Sequence, residues 1–281
     1  MSRTDWPTVL ELAADIVAEY DTQVTLRQLF YRLVAKQVIP NLQSYYRRLS
    51  QRTAQARRDG DLPDLSDEGS EFYPSGGDTS PADALRGTAQ SYRRDRTEGQ
   101  PVAIYLAVEK RGMLNQLSAW FGDLGLPILA LGGYASQSLC DEVKRDVRRQ
   151  GRPAILLYAG DFDPSGEDIE RDFIARTDCW KATRRIALTP EQVSDYELAE
   201  YAPTPKELEK LADDPRANSF EERHGSLVQY EVDALEPTDL RYLYRTAIDE
   251  FWDRSVYEAV LEREAVERAR LTELADTWED E

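Results

Sequence analysis

Ala154-Ile-Leu-Leu-Tyr-Ala-Gly-Asp161-Phe-Asp163-Pro-Ser-Gly166 decides how this chain is read. Six apolar residues have the length and composition of a strand buried on both faces, and Gly160 lets the backbone leave the sheet. Two carboxylates follow, one residue apart. Pro164, Ser165 and Gly166 then read as a turn, and Glu167-Asp-Ile-Glu-Arg-Asp-Phe-Ile as a helix with an acidic first turn. In open α/β sheets the carboxyl ends of the strands are where ligands gather. A second strand, Val102–Val108, ends the same way at Glu109-Lys110, so Glu109, Asp161 and Asp163 are expected to meet on one rim.

Three carboxylates suit a hard cation such as Mg²⁺, which keeps several waters and completes its octahedron with substrate phosphate. Zinc fits poorly, because Cys140, Cys179 and His224 match no zinc spacing. A calcium-binding EF-hand loop also fails: its twelfth place is Asp172 rather than Glu, and a strand precedes it. The plain alternative is that Asp161 and Asp163 only cap a turn and a helix. His224, in a polar stretch, is expected to be exposed and idle.

Strand and helix patterns alternate from Val102 onward, through Leu126–Leu131, Ala154–Ala159 and Arg185–Leu188, with helices after Gly112, after Ser136 and from Glu167. That alternation predicts an α/β fold with a mostly parallel sheet. Beyond Thr189 the chain reads as helical and acidic, with Leu240–Trp252 and Tyr257–Leu274 the longest helices. Upstream, residues 7–20 have helical spacing, Thr25-Leu-Arg-Gln28 is a capping-box pattern, and a third helix is expected from about Leu42 to Arg58. Three short helices, the third basic, predict a winged-helix-like DNA-binding domain over 1–63. A polar linker, with one short helix near Ala82–Arg94, follows over 64–100, and the α/β domain with its helical extension occupies 101–281.

The 281 residues carry a net charge of −18, which argues against generic nucleic-acid binding over the whole surface. Yet no Asp or Glu occurs from Thr22 to Arg58, where Arg27, Arg32, Lys36, Arg47, Arg48, Arg52, Arg57 and Arg58 lie. A confined basic module in an acidic chain is the footprint of a local polyanion site, with Arg32, Arg47, Arg48, Arg52, Arg57 and Arg58 as candidate DNA contacts. The other reading is a solvated helix face paired with acids elsewhere. No apolar run is long enough for a bilayer, no signal-peptide core precedes the first helix, and two distant cysteines fit a reducing cytoplasm.

With these residues in place, the chain resembles the Toprim family, and more narrowly the A subunit of topoisomerase VI and the related meiotic double-strand-break proteins. Glu109 after the first strand and Asp161-Phe-Asp-Pro-Ser-Gly166 after a later one carry the likeness, with Gly132-Gly-Tyr-Ala-Ser136 and Leu188-Thr-Pro-Glu-Gln-Val193 in support. Arg27-Gln-Leu-Phe-Tyr31 is similar to the family's nucleophile motif, with Gln28 in place of its acid. The resemblance implies that Tyr31 attacks a DNA phosphate, leaving a 5′-phosphotyrosyl link and a free 3′-hydroxyl. Arg27 would ease loss of the phenolic proton, Lys110 would contact phosphate, and Glu109, Asp161 and Asp163 would hold Mg²⁺, with Mn²⁺ as its substitute. Two protomers would give staggered cuts, each site joining the tyrosine of one to the metal site of the other, and strand passage would need a separate ATPase subunit, since no phosphate-binding Gly-x-x-x-x-Gly-Lys-Ser/Thr loop occurs. Two further readings stay open: a hydrolytic Toprim nuclease using metal-activated water, and a DNA-binding protein without catalysis.

Overall fold

The computed structural model describes residues 4–20, 23–66, 76–196, 198, 209, 211 and 213–278. Strands β1 (Ala103–Val108), β2 (Ile128–Ala130), β3 (Ala154–Ala159) and β4 (Ala182–Ala187) form one parallel sheet in the order β2-β1-β3-β4. Between them run α5 (Leu114–Phe121), α6 (Gln137–Gln150) and α7 (Pro164–Thr177). Because β2 lies on one side of β1 and β3 on the other, the β1/β3 seam is the point where the winding reverses.

β1 and β3 are buried throughout and pair in register, Ala103 with Ala154 through to Val108 with Ala159. Side chains alternate between the two faces. Ile104, Leu106, Val108, Ile155 and Leu157 join Leu117 and Phe121 of α5 and Tyr244 and Ile248 of α10 (Pro237–Asp249). Tyr105, Ala107, Leu156 and Tyr158 join Val143 of α6 and Phe173 of α7. Since the two strands end level, the residues that follow them are neighbours: the Glu109 amide donates to the Ala159 carbonyl at 2.9 Å.

Several element boundaries differ from their sequence expectation. The helix after β3 starts at Pro164, not Glu167, because Asp163 is its N-cap and proline suits the first helical position. What reads as a turn is the helix's first turn. β4 begins earlier, at Ala182; its exposed Thr183 and Arg184 lie on the sheet's outer strand, where apolar side chains are not required. The expected strand Leu126–Leu131 narrows to Ile128–Ala130.

The N-terminal helices α1 (Trp6–Ala18), α2 (Leu26–Ala35) and α3 (Gln43–Asp59) enclose their own core around Val9, Ile16, Leu29, Leu33 and Leu49. Thr25 and Gln28 form the capping box at α2. No hairpin follows α3 among the described residues; Thr25 and Ser66 make a single parallel bridge. After α4 (Pro81–Ser91), residues 92–100 are tied to the C-terminal helix α11 (Arg254–Asp276): Tyr92 donates to Glu267 at 2.7 Å and Arg96 pairs with Glu264 at 3.0 Å. α8 (Pro190–Asp195) and α9 (Ala217–His224) lie between β4 and α10 in sequence. Among the described residues no helix is long and apolar enough to cross a membrane.

Candidate functional site

Glu109, Lys110 and Asp161 meet at the carboxyl ends of β1 and β3. The Asp161 amide donates to Glu109 Oε2 at 2.9 Å, and the Lys110 ammonium binds Asp161 Oδ2. A third acid, Glu231, comes from the loop before α10, with Oε2 at 2.8 Å from Lys110 Nζ; Glu109 Oε1 lies at 3.7 Å. The loop is held there by an antiparallel bridge between Phe162 and Tyr230, and by the Val232 amide donating to Asp161 Oδ1 at 2.9 Å. Arg185 braces the other side, donating to the backbone carbonyls of Gly160, Asp161 and Leu188. Gly166 is required by close approach, since a side chain there would overlap the Asp161 carbonyl.

Asp163 plays a different part. Its Oδ1 accepts from the Gly166 amide and the Ser165 hydroxyl, both at 2.7 Å, and its Oδ2 from Gln229 at 3.0 Å. The capping alternative therefore describes Asp163, while Asp161 faces the lysine. Among the described residues no three Asp, Glu, His or Cys side chains close on one point as a metal cage. The carboxylates converge on the Lys110 ammonium instead. Every donor is a hard oxygen, and buried Asp233 keeps Oδ1 without a hydrogen-bond partner. An oxygen-only set with an unfilled acceptor has the chemistry of a Mg²⁺ site rather than of a soft-metal site.

Helix α2 closes the site from above. Arg27 pairs with Glu231 at 2.7 Å and Asp233 at 3.3 Å, and its guanidinium lies 5.2 Å from the Tyr31 ring centre. The Tyr31 hydroxyl donates to Glu231 Oε1 at 3.2 Å. Gln28, besides its cap, donates to Gln116 at 2.7 Å. A cleft of about 370 Å³ lies between the parts, lined by Arg27, Gln28, Glu109, Lys110, Gly132 and Asp233 among others, and a hollow of about 200 Å³ borders Tyr31, Asn41 and Tyr46. Arg27 eases loss of the Tyr31 proton, as expected, but is outweighed in this arrangement. Burial, and then the charge of Glu231, hold the phenol above its ordinary pKa despite Arg27.

Burial works against ionisation of Glu231, but Lys110 and Arg27 outweigh it and bring its pKa down to about 2. Folding thus favours the charged form, a contribution complete above the ordinary 4.5 and lost as pH falls towards 2. Asp161 has the opposite sign: burial, and then Glu231, raise its pKa well above the carboxylate range, so its ionisation opposes folding as pH rises. Glu231→Gln should therefore narrow the gap to wild type as pH drops from 4.5 to 2. Thermal unfolding across that window checks it; a constant gap would mean that Glu231 is not held ionised by its neighbours.

The arginines divide into two groups. Arg47, Arg48, Arg52 and Arg58 are exposed along α3, and none of the four has an acidic partner among the described residues. Arg57 is half-buried, with Nε unpartnered. Arg32 is not a surface residue: it is 2% exposed and pairs with Glu236, because it stands on the face of α2 that also buries Leu29 and Leu33. Arg32→Ala should cost about 1–3 kcal/mol in urea unfolding, through loss of a buried side chain and of its pairing with part-exposed Glu236. Arg48→Ala with Arg52→Ala should leave stability unchanged and flatten the dependence of log affinity on log salt by about 0.9 for each phosphate no longer neutralised. Equal salt slopes for wild type and the double variant would overturn the expectation that α3 contacts DNA.

Glu231, Asp233, Gln229 and Arg185 carry no motif, and only the Glu-Val-Asp alternation at 231–233 hints at a carboxylate pair on one side of an extended segment. His224 is not idle. It bonds Glu167 at 2.7 Å and packs on Phe162 and Phe220, behind the Asp161 loop. No protein-family model matches the chain, and no curated protein matches it.

Proposed function

We propose that the chain is a Toprim-type DNA-cleaving protein that cuts strands with the help of Mg²⁺ or Mn²⁺, Tyr31 being the nucleophile. The carrying observation is the Tyr31–Glu231–Lys110–Asp161 chain of contacts, which joins a tyrosine of α2 to the lysine after β1 and the acid after β3. On this reading residues 1–63 are a winged-helix-like module that binds DNA through the free arginines of α3, and residues 101–281 are a Toprim domain.

Mg²⁺ bound at Glu109 and Asp161 would supply charge stabilisation at the scissile phosphate. Tyr31 Oη forms the new bond to phosphorus as the bond from phosphorus to the 3′-oxygen breaks. Glu231 Oε1, which already accepts the phenolic hydrogen bond, orients the attacking oxygen, whose proton passes to solvent as the departing 3′-oxygen gains one from water. Because Tyr31 and the acids meet within one chain, each copy of a homodimer would hold a whole site, and the separate ATPase subunit would be needed only for strand passage.

Hydrolysis by activated water is the second reading, favoured by the burial that keeps Tyr31 protonated. Incubation of the protein with plasmid DNA and either Mg²⁺ or Mn²⁺, followed by denaturing quench, separates the two. Protein covalently joined to 5′ ends supports transesterification; free 5′-phosphates support hydrolysis; no cutting under either ion refutes both.

A further inference from the structure

The position a divalent ion would take is already held by a positive charge belonging to the chain. The Lys110 ammonium touches Asp161 Oδ2 and Glu231 Oε2, with Glu109 Oε1 a little farther off, and these are its acidic partners among the described residues. Its stem is short of solvent, 18% exposed, at the wall of the cleft. Lysine is well suited to such a post, because its single charge sits on a flexible four-carbon stem that can withdraw without moving the backbone.

The acids do not contribute equally. Asp163 is bound on both oxygens, by the first turn of α7 and by Gln229, so serving an ion directly would mean giving up the cap of the helix that carries the motif. Glu231 has no comparable backbone duty: its partners are Lys110, Arg27 and Tyr31. Beside it Asp233, with its side chain 2% exposed, lines the same cleft and has Oδ1 buried without a donor. An unfilled acceptor on that wall is what the water shell of a hydrated cation supplies donors for.

We propose that Lys110 is a resident cation that a divalent ion displaces, and that Glu231, rather than Asp163, joins Glu109 and Asp161 in holding the ion. This rests on the metal-dependent reading above and sharpens it. The division of labour at Glu231 follows from its two oxygens: Oε2 now faces the lysine and would face the ion, while Oε1 keeps the Tyr31 hydroxyl. Metal occupancy and the position of the nucleophile are thereby coupled through one carboxylate. Once displaced, Lys110 has the cleft beside Gly132 and Gly133 to enter, where a DNA phosphate can meet it.

Displacing an ion-paired lysine taxes the apparent affinity for metal, so its removal should be felt as tighter binding. Mn²⁺ binding to the full-length chain without DNA, read by electron paramagnetic resonance of the free ion, gives the test. Lys110→Met should bind Mn²⁺ at least about tenfold more tightly than wild type, whereas Lys110→Arg, which keeps the charge, should bind no more tightly. In the Lys110→Met background, Glu231→Gln should weaken binding by about tenfold or more, and Asp163→Asn, whose amide still caps α7, by less than about threefold. Thermal unfolding of each variant establishes that it is folded. Equal affinity of Lys110→Met and wild type, or loss of binding with Asp163→Asn but not Glu231→Gln, overturns this inference alone. No Mn²⁺ binding by any of the folded proteins overturns it together with the metal-dependent reading.

Discussion

Asp161→Asn should abolish strand cutting, by at least about a thousandfold, while making the protein harder to unfold. The first effect follows from the role proposed for it: Asp161 is the carboxylate at the end of β3 that faces Lys110, and on that reading both tyrosine and water as nucleophile depend on the charge held there. The second follows from electrostatics. Asp161 is buried beside Glu109 and Glu231, and its pKa is raised by burial and by Glu231, so at neutral pH its negative charge is resisted by the fold. Asparagine keeps an oxygen for the Val232 amide and leaves Lys110 its contact with Glu231. A gain of about 1 kcal/mol, or a rise in Tm of about 2–4 °C, is expected for a domain of this size. Cutting that survives the change would exclude Asp161 from the chemistry, and a fall in Tm would mean that its pairing with Lys110 outweighs its desolvation.

Tyr31→Phe is the sharper discriminator. The ring should stay where it is, edge-on to Phe30 at 5.4 Å and beside the Arg27 guanidinium, and the lost hydrogen bond to Glu231 should cost about 0.5–1.5 kcal/mol. Adduct formation should vanish nonetheless, because a phenyl ring has no atom to attack phosphorus. If free 5′-phosphates then accumulate at the wild-type rate, water is the nucleophile and Tyr31 serves to dock α2 on the acidic cluster. Loss of all cutting in a protein that still binds DNA and metal assigns the attack to Tyr31.

How far the sequence spoke depends on the kind of signal. β3 was legible to the residue because a strand buried on both faces is a continuous apolar run, and the nearness of Glu109 to Asp161 followed once two such runs ended in acids. The α2 capping box was legible because its two hydrogen bonds are local. Arg32 was misread because counting charges along a helix does not say which face turns inward, and the face between Leu29 and Leu33 does. The start of α7 was misread because Asp-Pro-Ser-Gly fits a turn and a capped helix equally well until the Asp163 side chain is seen bonding the Gly166 amide. Glu231 and Asp233 had only their alternation as a hint: their place at the site depends on the bridge between Tyr230 and Phe162, a tertiary contact that no local pattern announces. The acids that bind Arg27 and Tyr31 are thus the part of the site that only the fold discloses.

On the proposed reading Tyr31 becomes joined to DNA. Wild-type protein incubated with DNA and Mn²⁺, quenched in denaturant and digested with nuclease and trypsin, should yield the peptide Gln28–Arg32 carrying the mass of a nucleotide on Tyr31. Recovery of that peptide only in its unmodified form, from a reaction in which the DNA has been cut, would contradict the account.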